Sequence, residues 1–239
     1  MCPGNWGTFY QINMEESLQT KYKTLIKYVL YILLVSMVIR FLYNLLIDYK
    51  FVGRLNEVEM FPIKDKPVLA FISIVVLAPI VEELIFRLPL TYSKLNLALS
   101  ASTLSFVAAI QLDRMLPAIP LFIYLTAILT GCGSFIAIQH VLNRDESSKQ
   151  ALKAFWLKNN SIIIIISVLA FGFIHLMNYE GMTSRHLLIS PLIIGPQLYC
   201  GFLLTKIRLA SGILWSIQLH MAVNGLSFMV STIVTPYTL

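Results

Sequence analysis

The chain has 239 residues, of which 57% are hydrophobic and only 13% are charged. A soluble globular domain has roughly half apolar and a quarter charged residues, so this composition argues against a soluble enzyme. The formal net charge of +6 could indicate nucleic acid, but the Lys and Arg residues lie mostly between long apolar runs. Positive-inside anchoring in a lipid bilayer explains that distribution, and we expect no nucleic-acid partner.

Long apolar runs predict helices that cross the bilayer, because about 20 consecutive apolar residues span its hydrocarbon core. Short charged or proline-containing segments separate the runs. The predicted spans cover roughly 25–47, 68–90, 97–112, 119–142, 161–177, 187–205 and 213–234. The mixed-charge stretch 48–66, between the first two spans, is predicted to be a loop or an interfacial helix.

The predicted fold class is all-α, a polytopic transmembrane helix bundle of about 7–8 spans. No linker, repeat or low-complexity tract divides the chain, so residues 1–239 are predicted to form a single membrane domain. Three cysteines, Cys2, Cys132 and Cys200, are far apart and odd in number, which predicts no disulfide framework. Lys and Arg are more frequent on the side of the N-terminus. We therefore expect a cytoplasmic N-terminus, a cytoplasmic loop 143–160 and a multi-pass location in the cell membrane.

Few ionisable side chains lie inside the predicted spans, and five of them concentrate in three spans. The second span holds Glu82, Glu83 and Arg87. The fifth holds His175, and the seventh holds His220. A charge at the bilayer centre costs about 2.5–3.5 kcal/mol by insertion scales, so such groups face the bundle interior and are functional candidates.

Helix geometry separates the roles of the two glutamates. Glu83 and Arg87 are four residues apart, share a face and are predicted to form an ion pair. Glu82 points about 100° away around the helix, so it is predicted to be available for another function. Pro79 cannot donate a backbone hydrogen bond to Val75, and a kink there would make room for water beside a carboxylate.

His220 and Asn224 are also four residues apart and share a face of the seventh span. Together they can donate two hydrogen bonds to one oxygen, which is what stabilisation of an oxyanion requires. Each motif alone also has an ordinary structural interpretation, because small polar pairs and single histidines often join membrane helices. Ligand chemistry also leaves a zinc site open, formed by Glu82, His175 and His220.

These motifs together resemble those of the CPBP family of intramembrane glutamic endopeptidases, which includes CAAX prenyl proteases and bacteriocin-processing proteins. The family pattern EExxxR matches residues 82–87, FxxxH matches 171–175 and HxxxN matches 220–224, in that order. Two features depart from the family. Leu88 stands where Gly is frequent, and the stretch between the first two motifs is long enough for two additional spans.

The resemblance implies an intramembrane endopeptidase with its catalytic core in about 67–235. Its substrate would be a membrane-associated peptide or protein, either prenylated or leader-bearing. Glu82 would activate water, His175 would help to hold or activate that water, and His220 with Asn224 would stabilise the oxyanion. Glu83 and Arg87 would support the site. No cofactor or metal is expected, and the lipid bilayer is the expected surroundings.

Two alternatives remain open at the level of sequence. One is a zinc-dependent membrane protease, although the chain contains neither an HExxH nor a GxSxG motif. The other is a non-catalytic membrane protein, such as a bacteriocin immunity factor, a scaffold or a transporter. A transporter should show interrupted helices in two related halves. Pro79, Pro191 and Pro196 are the only interruptions of that kind, and no matching halves are evident.

Overall fold

The computed structural model describes residues 17–57, 66–114, 120–143 and 146–234. Within these residues the chain is helical almost throughout, which confirms the all-α prediction. The α-helices are α1 (Leu18–Asp48), α2 (Pro67–Phe71), α3 (Ala78–Phe86), α4 (Lys94–Arg114), α5 (Pro120–Asn143), α6 (Glu146–Lys158), α7 (Asn160–Ile174), α8 (Ser184–Leu188), α9 (Ser190–Ile193), α10 (Gly195–Ser211) and α11 (Ile213–Val234).

Shorter elements link these helices. Residues Ile72–Leu77, between α2 and α3, form a wider π-helical turn that we call the π segment. Short 3₁₀ turns cover Leu88–Leu90 and His175–Asn178. Two short strands, β1 (Asn56–Glu57) and β2 (Tyr179–Glu180), pair antiparallel. The described part of the stretch 48–66 therefore contains β1 and no interfacial helix, and residues 58–65 lie outside the described residues.

Several helical segments of the described residues are long and apolar enough to cross a membrane. There are five of them: Leu18–Asp48, Pro67–Leu90, Tyr124–Asn143, Asn160–Asn178 and Ile213–Thr232. They correspond to five of the predicted spans, whereas the predicted total of about 7–8 is not confirmed. The predicted third span is present as the helix α4, but polar residues such as Asn96, Ser100 and Gln111 lower its hydropathy.

The predicted sixth span, 187–205, is wrong as one continuous helix. The chain forms α8, α9 and α10 in succession, and the helices are interrupted at Ile189 and Ile194. Pro191 and Pro196 lie in the first turns of α9 and α10. Because proline lacks an N–H group and disfavours helix for the residue before it, each proline starts a new helix instead of continuing the old one.

The described residues cluster into two compact units. The first contains the chain up to Ile80 and from Ile166 onward, and the second contains Val81–Ile165. In the first unit, α1 packs against α9, α10 and α11, and α11 also packs against the π segment. A Cβ atom at Gly172 of α7 would overlap the side chain of Leu198 in α10, so this glycine permits close helix packing.

The second unit is built on an antiparallel pair, α4 and α5. The Ser102 hydroxyl donates a hydrogen bond to the Gly131 carbonyl at 2.8 Å, and the Ser134 hydroxyl donates to the Ser105 hydroxyl at 3.0 Å. Hydrogen bonds between small polar residues are a common means of joining membrane helices. The polar stretch 143–160, predicted as a loop, contains the helix α6, which is joined to residues 88–90 through Trp156.

A buried histidine joins the turn after α1 to the segment that follows β2. His186 is 3% exposed, and its Nε2–H donates to the Gly53 carbonyl at 2.9 Å. Its Nδ1 accepts the Thr183 N–H at 3.1 Å, so the ring is the neutral tautomer with the proton on Nε2. These bonds cross-link two segments of the first unit that are far apart in sequence.

Candidate active site

Glu83 and Arg87 form a fully buried ion pair in the second unit. The Arg87 Nε lies 3.7 Å from the Glu83 Oε1, and both side chains are 0% exposed. This geometry confirms the ion pair predicted from the four-residue spacing. An unpaired buried charge is costly, so the two side chains stabilise each other inside the protein.

Glu82 has a different environment from its neighbour Glu83. Glu82 is half-buried on α3, whereas the Glu83 side chain is completely enclosed. The difference follows from the helix, because adjacent residues point about 100° apart. The two carboxylates of the EExxxR motif therefore differ in exposure.

Asn224 completes the hydrogen bonding of the π segment. In a π-helix each N–H donates to the carbonyl five residues earlier, and the Ala78 N–H donates to the Ser73 carbonyl in this way. The next donor in this register would be residue 79, but Pro79 has no N–H group. The side-chain amide of Asn224 donates instead to the Ile74 carbonyl at 2.9 Å.

His175 lies where α7 ends, as the first residue of a 3₁₀ turn. Its Nδ1 is 2.7 Å from the Phe171 carbonyl oxygen. A carbonyl only accepts, so Nδ1 carries a proton, and in the Nδ1–H tautomer of imidazole the acceptor atom is Nε2. The hydrogen bond to Phe171 thus fixes the orientation of the imidazole ring.

Phe171 brings two of the predicted site residues together in the first unit. Its ring is 1% exposed and contacts the rings of His175 and His220 edge-on, at centroid distances of 4.8 Å and 5.6 Å. His220 is itself only 3% exposed. In the sequence, Phe171 stands out only as part of the FxxxH motif. Its i, i+4 spacing to His175 indicates that contact, whereas the contact with His220 depends on tertiary packing.

The described residues contain no group of three or more His, Cys, Asp or Glu side chains that could hold a metal ion. The expectation of a metal-free reaction stays a prediction. Cys132 and Cys200 are free thiols, and Cys2 lies outside the described residues.

Residues 64–226 match the family model of the type II CAAX prenyl endopeptidases, Rce1-like. The match covers more than half of the chain and includes all three motifs. The chain belongs to this family. No curated protein and no solved structure matches the chain.

Membership of the CAAX endopeptidase family confirms the resemblance seen in the motifs. The chain is a CAAX-type intramembrane protease, embedded in a membrane as a multi-pass protein and acting on a membrane-associated substrate.

Loss of Glu83 should destabilise the protein strongly. We expect Glu83→Ala to lower the free energy of unfolding by about 3–5 kcal/mol, because it leaves the buried Arg87 without its carboxylate. The double variant Glu83→Ala/Arg87→Met removes both charges and should lose less. Thermal unfolding in detergent measures both effects. If Glu83→Ala unfolds at the temperature of the wild type, Glu83 is not the structural carboxylate.

Proposed function

We propose that the chain hydrolyses a peptide bond of a membrane-associated protein or peptide in the cell membrane, with Glu82 activating the attacking water. The observation that carries the proposal is the division between the two adjacent carboxylates. Glu83 is enclosed with Arg87, whereas Glu82 is half-buried on the same helix. One carboxylate thus supports the structure, and the other serves as general base.

In the proposed reaction the Glu82 carboxylate takes a proton from water as the water oxygen attacks the carbonyl carbon of the substrate. The proton then passes to the nitrogen of the departing amine, and no covalent intermediate with the protein forms. His175 holds the water, because its Nδ1–H is directed to the Phe171 carbonyl and its Nε2 is the acceptor.

The developing negative charge on the carbonyl oxygen needs hydrogen-bond donors. His220 and Asn224 fill this role, and each donor of this kind typically contributes about 10²–10³ in kcat. An Asn amide carries two N–H groups, so donation of one to Ile74 leaves the second for the substrate oxygen. The packing of His220 against the buried Phe171 ring restricts the orientation of its imidazole.

The substrate class follows from the family and the apolar character of the chain. A CAAX endopeptidase acts on a chain anchored in the bilayer by a prenyl group, and a leader-bearing membrane peptide is the other substrate type known in the wider family resembled by the motifs. A prenylated peptide ending in a free carboxylate is therefore the first substrate to assay.

Glu82→Gln should abolish cleavage while the protein remains folded. The amide keeps the size of the side chain but cannot take a proton, and loss of a general base typically lowers the rate about 10²–10⁴-fold. Cleavage of a prenylated peptide in proteoliposomes, followed by mass spectrometry, measures the effect. Glu146→Gln, the same change at an exposed carboxylate of α6, is the control and should cleave normally. Normal cleavage by a folded Glu82→Gln protein contradicts the mechanism.

Cleavage should survive complete removal of metal ions. A glutamate that activates water directly needs no Lewis acid, so treatment of the purified protein with a zinc chelator should leave the rate unchanged. The metal content is measured in the same samples. Activity that disappears with the metal and returns with added zinc would mean that Glu82, His175 and His220 act as ligands.

A further inference from the structure

We propose that Asn224 positions Glu82 by supplying the hydrogen bond that Pro79 cannot donate, an inference that rests on the proposed role of Glu82. In the π register the N–H of residue 79 would donate to the Ile74 carbonyl. The amide of Asn224, from a helix far along the chain, occupies that place at 2.9 Å. Inside a membrane the carbonyl would otherwise be a costly unsatisfied acceptor.

Neighbouring contacts hold α11 against the π segment beside this hydrogen bond. A Cβ atom at Gly225 would lie 3.5 Å from Val75, so the two backbones approach closely there. The Phe228 ring, one helical turn after Asn224, meets Phe71 edge-on at a centroid distance of 5.6 Å. The Asn224 amide is therefore part of a packed contact and not an isolated interaction.

The π segment determines the rotation of everything that follows it in the helix. A π-helical turn contains about one residue more than an α-helical turn, and one residue rotates a helix by about 100°. If the segment tightened to an α-helix, Glu82 would rotate by that angle relative to residues 67–71. Asn224 thus stabilises the backbone form that fixes the direction of the reactive carboxylate.

A double-mutant cycle of two substitutions tests this positioning role. Asn224→Leu removes the donor, and Pro79→Ala returns an N–H group in register with Ile74. Asn224→Leu removes the proposed oxyanion donor as well as the hydrogen bond to Ile74. We expect the loss of positioning to lower kcat about 10–100-fold beyond the loss of that donor, since a displacement of about 1 Å can cost 10²-fold, and we expect the unfolding temperature to fall. In the Pro79→Ala background only the loss of the oxyanion donor should remain. The loss of kcat should therefore be at least tenfold smaller than in the wild-type background, and the fall in unfolding temperature should also be smaller. Ser227→Leu, at an exposed position of α11, is the control and should change neither.

Equal loss of kcat from Asn224→Leu in both backgrounds overturns the positioning role, because Asn224 would then act on the substrate oxygen alone. Glu82→Gln is measured in the same assay to separate this failure from failure of the proposed function. If Glu82→Gln cleaves normally, the proposed function fails. If it is inactive while the cycle shows no rescue, only the positioning role fails.

A second, independent observation is a basic cavity in the first unit, at the end of α1. It has a volume of about 690 Å³ and is lined by the cations Lys50, Arg54 and Arg185 together with the hydroxyls of Thr183 and Ser184. We infer that it binds the phosphate of an anionic phospholipid headgroup. Among the residues that the structure describes, none of the three cations lies within 4.0 Å of a carboxylate.

The walls of the cavity are fixed by specific contacts. The buried His186 donates a hydrogen bond to the Gly53 carbonyl and so connects the two chain segments that line the cavity. Arg185 donates to the Phe51 carbonyl at 3.2 Å. Lys50 has a φ of 57°, a left-handed conformation that is uncommon for a residue with a side chain. The conformation is therefore held by the surrounding structure, as is frequent at binding sites.

The position of the cavity identifies the source of the phosphate. It lies just after α1, which is long and apolar enough to cross a membrane and ends at Asp48. Tyr49 and Phe51 follow and are 82% and 41% exposed. Aromatic residues beside basic ones are typical of the headgroup level of a bilayer. At that level the cavity is next to lipid phosphates, so a soluble anion would have to compete with them for it.

The test compares lipid retention by the full protein and the double variant Lys50→Asn/Arg54→Gln. Both positions are exposed, and Asn tolerates the left-handed backbone. Each protein is equilibrated with vesicles of phosphatidylcholine and phosphatidylglycerol, and bound lipid is counted by native mass spectrometry. We expect phosphatidylglycerol to bind about fivefold more weakly per cation removed, with phosphatidylcholine unchanged. Lys23→Gln, at the other end of α1, is the control.

Unchanged retention of phosphatidylglycerol by the double variant, or an equal loss with Lys23→Gln, overturns the site. A parallel arm adds inorganic phosphate at the same concentration as the anionic lipid. If phosphate alone displaces the lipid at that concentration, the cavity recognises a free anion and the assignment to a lipid fails. The readout is independent of cleavage, so it stands apart from the proposed function.

Discussion

Backbone groups inside a bilayer have no water to bond with, and this constraint explains the most unusual local feature of the chain. Pro79 removes one donor from a helical segment that is long and apolar enough to cross a membrane, and the preceding turn widens to the π form. The amide of Asn224 supplies the missing bond to Ile74. The HxxxN motif is thereby connected to the π segment that precedes α3 in the chain.

Charged side chains inside a membrane also need partners. The enclosed pair of Glu83 and Arg87 neutralises two charges that would each be costly alone, and it leaves the adjacent Glu82 in a different environment. Phe171 in turn provides one rigid surface for His175 and His220. The motif residues that carry no proton in the proposed reaction therefore matter as much as those that do, because they restrict where the reactive groups can point.

Periodicity and chemistry predicted much of this arrangement, within clear limits. The helical fold, five spans and the ion pair follow from local spacing, because apolar run length and i, i+4 geometry are local properties. The breaks at Ile189 and Ile194 were missed because the apolar run continues through them, although Pro191 and Pro196 mark both positions. Long-range contacts, such as that of Asn224 with Ile74, are decided by helix packing and have no local signature.

The division into two units also bears on how the protein is made. Residues Val81–Ile165 are continuous in sequence, so their helices can pack together as soon as they enter the membrane. The first unit is discontinuous, and its early helices must wait for Ile166 and later residues to be synthesised. At about 5–20 residues per second this delay lasts several seconds. During translation the half-finished first unit therefore exposes its packing surfaces to lipid or to insertion factors.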